Sequence, residues 1–121
     1  MSSYKDLEIY KLAYEIAIRV HKAYLKLPQF ELYEQGSQIR RSSKSIKDTI
    51  VEGYGRRRYK AEFIRFLVYA QASCDEATNQ SITIIDLYPD ISEFTEIYTD
   101  LDILGKMINN FIGYVESDWR T

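Results

Sequence analysis

The chain has 121 residues, 45% of them hydrophobic, which is the size of one domain with a single core. Its one cysteine and one histidine exclude an internal disulfide and a zinc site built from Cys and His ligands. The polar start, the short apolar runs and a net charge of -2 predict a cytoplasmic protein without a signal peptide, a membrane span or the strong positive charge of a dedicated nucleic-acid binder.

The first two predicted helices cover about residues 6–27 and 31–52. Apolar residues recur at helical spacing along the first one, and Pro28 ends it because the residue before a proline is pushed out of the helical region. The second helix has apolar and small residues on one face, which favours the close approach of a neighbouring helix. That face consists of Ile39, Ser43, Ile46, Ile50 and Gly53.

The last two predicted helices cover about residues 59–87 and 91–116. Apolar and small residues of the third helix, from Phe63 to Ile84, recur in alternating steps of four and three, as in bundle helices. Pro89 ends that helix, and Asp90 with Glu93 forms a candidate capping box for the fourth. The pattern predicts an all-α single domain over residues 1–121, folded as an antiparallel up-down-up-down four-helix bundle. Eleven tyrosines favour self-association, because tyrosine is enriched at protein interfaces.

Charge is distributed unevenly along the chain. Residues 38–60 contain eight of the sixteen cations and only two anions, which gives +6, whereas residues 61–121 carry -8. Basic residues of this block are the candidates for contact with a nucleic-acid backbone, although a solvated helix face is the simpler explanation of an isolated run of three cations. The candidates are Arg40, Lys44, Lys47, Arg56, Arg57, Arg58 and Lys60.

The opposite flank of the second helix is polar, since residues 100° apart along a helix sort into separate faces. We expect this polar stripe to form a partly buried hydrogen-bond network, either within the bundle or between subunits. It consists of Gln38, Ser42, Ser45, Thr49 and Glu52, with Arg41 at its edge.

The stretch Glu52–Lys60 combines two glycines with four cations. It lacks the third glycine and preceding strand of a dinucleotide site and the Gly-Lys-Ser/Thr of a P-loop. We therefore expect a helix corner in which Gly53 or Gly55 takes the left-handed conformation. Cations in this corner are favourable beside the carbonyl end of the second helix and unfavourable at the start of the third, which invites an anionic partner.

No residue set predicts catalysis or binding of a cofactor or metal, so we do not expect an enzyme. Asp75 and Glu76 are adjacent on a helix and point about 100° apart. His21 lies among charged surface residues, and Cys74 falls on the apolar seam of the third helix.

Three segments together resemble the four-helix bundle proteins of the ribosomal RNA intervening-sequence type. They are Gln38–Ile46, Ile50–Arg56 and Phe63–Leu67, with Tyr4–Tyr10 and the Leu27-Pro28 pair as further matches. The resemblance implies a helical bundle that assembles as a ring, commonly a pentamer, without known enzymatic activity. Members occur as reading frames inside intervening sequences of large-subunit ribosomal RNA genes, and related proteins accompany the reverse transcriptase of diversity-generating retroelements.

Two functions fit these residues. In the first, a ring-forming accessory protein contacts RNA or DNA backbone, or a ribonucleoprotein partner, through the basic block at residues 40–60. In the second, a homo-oligomeric scaffold without nucleic-acid binding docks its basic block on acidic surfaces of a neighbouring subunit or of another protein, such as a reverse transcriptase.

Overall fold

The computed structural model describes residues 3–120, which form a single all-helical domain without strands. This part of the chain contains four long helices and one short one, and it confirms the predicted all-α class. The helices are α1 (Glu8–Ala23), the short α2 (Gln29–Leu32), α3 (Gln35–Gly55), α4 (Lys60–Leu87) and α5 (Glu93–Asp118), with 3-10 turns at Tyr4–Asp6 and Tyr24–Lys26.

Each long helix packs against two others. Helix α3 contacts α1 and α4, and α5 contacts the same two helices, so that the four enclose one core. Most of the fully buried side chains come from the predicted stripes of the four helices, whereas Leu7 and Ile97 lie outside those stripes. Burial of each large side chain contributes roughly 1.5–3 kcal/mol. None of the helices within residues 3–120 combines the length and apolar character that crossing a membrane requires.

The corner between α3 and α4 differs from the predicted one. Neither Gly53 nor Gly55 has a positive φ, so the expected left-handed glycine is wrong. Helix α3 continues through both glycines and ends at Gly55, after which the N–H of Arg56 donates to the carbonyl of Gly53 and the N–H of Arg57 to that of Tyr54. Gly53 is instead required for close packing, because a Cβ there would lie 3.0 Å from the Cβ of Phe66.

The start of α5 also differs. Asp90 lies in the turn before the helix, and the residue at the cap position is Ser92, which makes no side-chain capping bond. The capping box predicted from Asp90 and Glu93 is therefore wrong. Glu93 forms an ion pair with Lys26, so a contact with the segment after α1 replaces the local cap.

Contacts between helix ends define two ends of the bundle. At one, which we call the arginine end, Lys60 Nζ donates to the carbonyl of Glu116 at 3.4 Å, and the ring of Phe63 lies 5.1 Å from Trp119. At the other, the Glu31 end, the hydroxyl of Tyr88 donates to Glu31 Oε2 at 2.6 Å. This hydrogen bond, together with burial, raises the pKa of Tyr88.

Candidate nucleic-acid interface

The three consecutive arginines occupy the connection between α3 and α4. Arg57 Nη1 donates to the carbonyl of Tyr54 at 2.9 Å, and its guanidinium lies 4.0 Å from the Tyr54 ring centroid. Arg56 lies 4.5 Å from the Phe66 ring and 3.6 Å from Glu62 Oε1. Cations are favourable beside the carbonyl end of a helix and over aromatic rings. Contacts within the corner therefore stabilise part of its positive charge.

Two residues from the end of the chain join this corner. An open cleft of about 370 Å³ is lined by Gly55, Arg57, Arg58, Trp119 and Arg120. Within residues 3–120, no carboxylate forms an ion pair with Arg57, Arg58 or Arg120. Trp119 is fixed by edge-on contacts with Phe63 and Tyr114. Three arginines thus line one cleft together with Trp119.

Trp119 and Arg120 were missed in the sequence, because they follow the basic block by about 60 residues. The Trp-Arg pair after the fourth predicted helix was the available signal. The proximity of this pair to the corner becomes visible in the structure, where Trp119 packs on Phe63.

The remaining basic candidates lie along the flank of α3 that faces α1. The Arg40 guanidinium is 4.5 Å from the Tyr24 ring, and its buried Nε has no hydrogen-bond partner among the described residues. Lys44 is half-buried, and Lys47 Nζ lies 2.7 Å from Asp48 Oδ1. Arg40 and Arg56 are separated by about 24 Å along the helix axis, at 1.5 Å per residue. The structure therefore divides the seven predicted residues into an arginine group with Lys60 and a separate α3 flank.

The polar stripe of α3 partly faces α4. Ser42 Oγ donates to Gln80 Oε1 at 2.6 Å, and the hydroxyls of Ser45 and Ser73 are 2.9 Å apart. Thr49 donates to the carbonyl of Ser45 within its own helix, at 2.7 Å. The other three members of the stripe, Gln38, Arg41 and Glu52, are exposed. Two serines thus form hydrogen bonds inside the bundle, and three side chains point to solvent.

A family model described as "23S rRNA-intervening sequence protein" matches residues 5–110. The chain belongs to this family. A crystal structure of a protein of unknown function from the S23 ribosomal protein family of Bacteroides thetaiotaomicron VPI-5482 has a TM-score of 0.72 and 23% identity, over 86% of this chain and 97% of the other. That likeness shows a shared fold. No curated protein matches the chain.

This member of the 23S rRNA-intervening sequence protein family has its one thiol in the core. Cys74 Sγ donates to the carbonyl of Leu101 at 3.4 Å. Burial, with a smaller effect of Asp75, raises the pKa of Cys74 to about 11, so the thiol is neutral at physiological pH. His21 is exposed with its ring 5.6 Å from that of Tyr24, and Asp75 and Glu76 are exposed. Within residues 3–120, no three His, Cys, Asp or Glu side chains form a candidate metal site.

Proposed function

We propose that this protein is a non-enzymatic accessory protein that binds the phosphate backbone of nucleic acid at the arginine end. The observation that carries the proposal is that Arg57, Arg58 and Arg120 line one open cleft and that none of them pairs with a carboxylate among residues 3–120. A guanidinium presents a planar fork of N–H donors that matches two phosphate oxygens. The cleft therefore offers several such forks to one charged chain.

Backbone binding of this kind does not depend on the net charge of the whole chain. Local clusters of like charge attract a polyanion over a range of about 10 Å at moderate salt, whatever the more distant charge. Lys60 adds a cation to the cluster at its α4 side, although its amino group is shared with the Glu116 carbonyl. Contacts to phosphate alone carry no sequence information, so we expect binding without a strong base preference.

The fold that presents the cluster is, in this proposal, an antiparallel bundle. Residue pairs across α3 and α4 support it, because Ser42 meets Gln80 whereas the later Ser45 meets the earlier Ser73. Across α1 and α5, Arg19 meets Asp100 whereas the later Lys26 meets the earlier Glu93. In antiparallel neighbours, residue numbers along the contact rise on one helix as they fall on the other, as they do in both pairs of helices.

We further propose that copies of the chain assemble into a ring, a pentamer by family resemblance. Cyclic symmetry would repeat the arginine end around one axis and join small cationic clusters into a larger surface. Large side chains that remain exposed on the single chain support self-association. They include Ile18, Val68, Tyr69, Ile103 and Tyr114.

The test is to remove the three guanidinium charges of the cleft and measure the salt dependence of binding. We expect R57Q/R58Q/R120Q to weaken binding to a labelled duplex at least about tenfold, and to lower the slope of log affinity against log salt by about 2 to 3. The matched control is K22Q/R65Q/K106Q, which removes the same charge from exposed sites on α1, α4 and α5. Fluorescence anisotropy between low and moderate salt provides both numbers. An unbound duplex at low salt, or equal losses in the two triple variants, would refute the proposal.

A second candidate function is a scaffold that uses the same arginines for protein contacts. The charge distribution favours it, because the block of +6 can meet the acidic surface of the segment that carries -8 in a neighbouring copy. A separate acidic partner, such as a reverse transcriptase, would serve equally. Here R57Q/R58Q/R120Q would shift the protein to a smaller species on a sizing column and leave its retention of nucleic acid unchanged.

A further inference from the structure

Three tyrosines form a continuous aromatic surface at the start of α1. The rings of Tyr4 and Tyr10 meet edge-on with centroids 5.0 Å apart, and the rings of Tyr10 and Tyr14 are 6.0 Å apart and tilted by 34°. Tyr10 is half-buried, and burial is the main cause that raises its pKa. Tyr14 lies one turn further along the helix and is 48% exposed. The tyrosine group therefore has a fixed inner ring and an outer ring open to solvent.

Lysines surround this aromatic surface. An open cleft of about 440 Å³ is lined by Lys5, Tyr10, Lys11 and Tyr14. Lys47 approaches from α3, and its positive charge opposes the rise in the pKa of Tyr10. Lys11 and Lys47 pair with Glu8 and Asp48, at 3.3 and 2.7 Å. The Lys11–Glu8 pair is exposed and contributes only about 0–1 kcal/mol, so a phosphate can replace Glu8 as the partner of Lys11.

We infer that this cleft, which we call the tyrosine cleft, binds unpaired nucleotides of a single-stranded nucleic acid. A base stacks on the exposed ring of Tyr14, and the neighbouring phosphates contact Lys5 and Lys11. The inference rests on the proposed function and names its ligand class, because aromatic rings beside cations bind single strands. Bases in a duplex stack on one another and do not present a free face to a protein ring.

The composition of the tyrosine cleft favours a nucleic acid over a protein. Tyrosine occurs in both kinds of interface, but lysine is depleted in the buried centre of protein interfaces. Here lysines line the cleft together with the tyrosines. Its open shape also suits a chain that passes across it better than an enclosed small ligand.

A single strand can reach both cationic sites. Lys47, beside the tyrosine cleft, and Arg57, at the arginine end, are ten residues apart on and just after α3, which corresponds to about 15 Å along the axis. Phosphates bound at the arginine end would therefore bring the following nucleotides towards Tyr10 and Tyr14. The two sites make different demands, since only the tyrosine cleft requires bases that are unstacked.

The experiment compares one sequence in single-stranded and duplex form. The probes are a fluorescein-labelled RNA of roughly 16 nucleotides, within the upper range of single-strand site sizes, its duplex, and the DNA versions of both. Y14A is expected to weaken single-strand binding about tenfold, within the range found for loss of one stacking ring, and to leave duplex binding unchanged. Y14F keeps the flat ring and should bind like the wild type, whereas Y14L keeps apolar bulk alone and should resemble Y14A.

The matched control is Y33A, which removes a tyrosine that is 82% exposed at the Glu31 end. Y33A should change neither the affinity for the single strand nor that for the duplex. Comparison of the RNA and DNA probes shows whether the sugar contributes to binding. If duplex binding persists but Y14A weakens both forms equally, or neither, the tyrosine cleft is refuted while the proposed function stands. If no probe binds the wild type at low salt, both are refuted. A shift of Y14A to a smaller species on a sizing column, with unchanged nucleic-acid binding, would assign the cleft to a protein interface instead.

Discussion

The two ends of the bundle differ in the charged groups that stabilise their helix connections. At the arginine end, cations of the α3–α4 connection lie over the rings of Tyr54 and Phe66, and Arg57 donates to the carbonyl of Tyr54. At the Glu31 end, a buried carboxylate accepts hydrogen bonds from Tyr88 and from the N–H of Gln35, while large apolar side chains stay exposed. The positive charge of the arginine end therefore lies on the surface, whereas the carboxylate of Glu31 is buried. Unmatched surface charge is available to a ligand, whereas a satisfied buried charge serves the fold.

The two ends also share one packing feature. Each contains a buried glycine of α3 at a close approach of two segments. A Cβ on Gly36 would lie 3.1 Å from the carbonyl oxygen of Glu31 and 3.2 Å from Tyr24 Cδ2, and one on Gly53 would lie 3.0 Å from Phe66 Cβ. The fold thus uses the same solution to bring chain segments together at both ends, and the difference between the ends lies in their side chains.

The largest expected effect tests whether aromatic packing holds the arginine end together. Phe63 is fully buried and touches the rings of Tyr54, Phe111 and Trp119. We expect F63A to lower the free energy of unfolding by about 3–5 kcal/mol, measured by urea denaturation. The control F30A removes a phenylalanine that is 65% exposed at the Glu31 end and should change the free energy by less than about 0.5 kcal/mol. Equal losses would mean that the ends do not differ in packing.

The next effect tests the buried carboxylate. We expect E31A to lower the free energy of unfolding by about 2 kcal/mol, because Tyr88 and the Gln35 N–H lose their acceptor. Y88F should destabilise in the same direction, and the double variant should cost less than the two single losses combined. E34A, at an exposed neighbouring glutamate, is the control and should have little effect. Additive losses in the double variant would contradict the coupling.

Features of the fold that depend on one helix alone were predictable from the sequence, whereas features that depend on contacts between distant segments were not. The apolar stripes that make up the core followed from helical spacing, since a residue's face depends on its own helix. The end of α3 and the cap of α5 were mispredicted, because Gly53 and Glu93 respond to Phe66 and Lys26 from other segments. For the site, the basic block was visible, whereas its division into two groups depended on packing between helices.

A smaller effect compares the glycines of α3. G36A and G53A should each destabilise by about 1–3 kcal/mol, since the added methyl group has no room at either position. Gly55 is the matched control, because a Cβ there meets no atom within 4 Å. G55A should stabilise by up to about 1 kcal/mol through helix propensity. Thermal unfolding of the three variants is sufficient, and a stabilised G36A or G53A would show that the close approach relaxes easily.

The smallest effect concerns the ion pair at the Glu31 end. The hydrogen bond from Lys26 lowers the pKa of Glu93 below its ordinary value. A lowered pKa means that the pair stabilises the fold above the ordinary pKa of the carboxyl group and that this contribution is lost as pH falls through the folded value. An NMR titration should place the midpoint of Glu93 below that of exposed glutamates. In K26M the midpoint should rise towards the ordinary value, and an unchanged midpoint would show that the ion pair is not the main cause of the lowered pKa.

The short α3–α4 connection has a consequence for the order in which the protein folds. Residues 56–59 separate the two helices, whereas residues 24–34 lie between α1 and α3. Because the entropy lost on closing a loop grows with its length, α3 can pair with α4 at a lower entropic cost than with α1. We expect this helical hairpin to be formed in the folding transition state, with α1 joining later. F63A would then slow folding, and a variant that mainly accelerated unfolding would argue for a different nucleus.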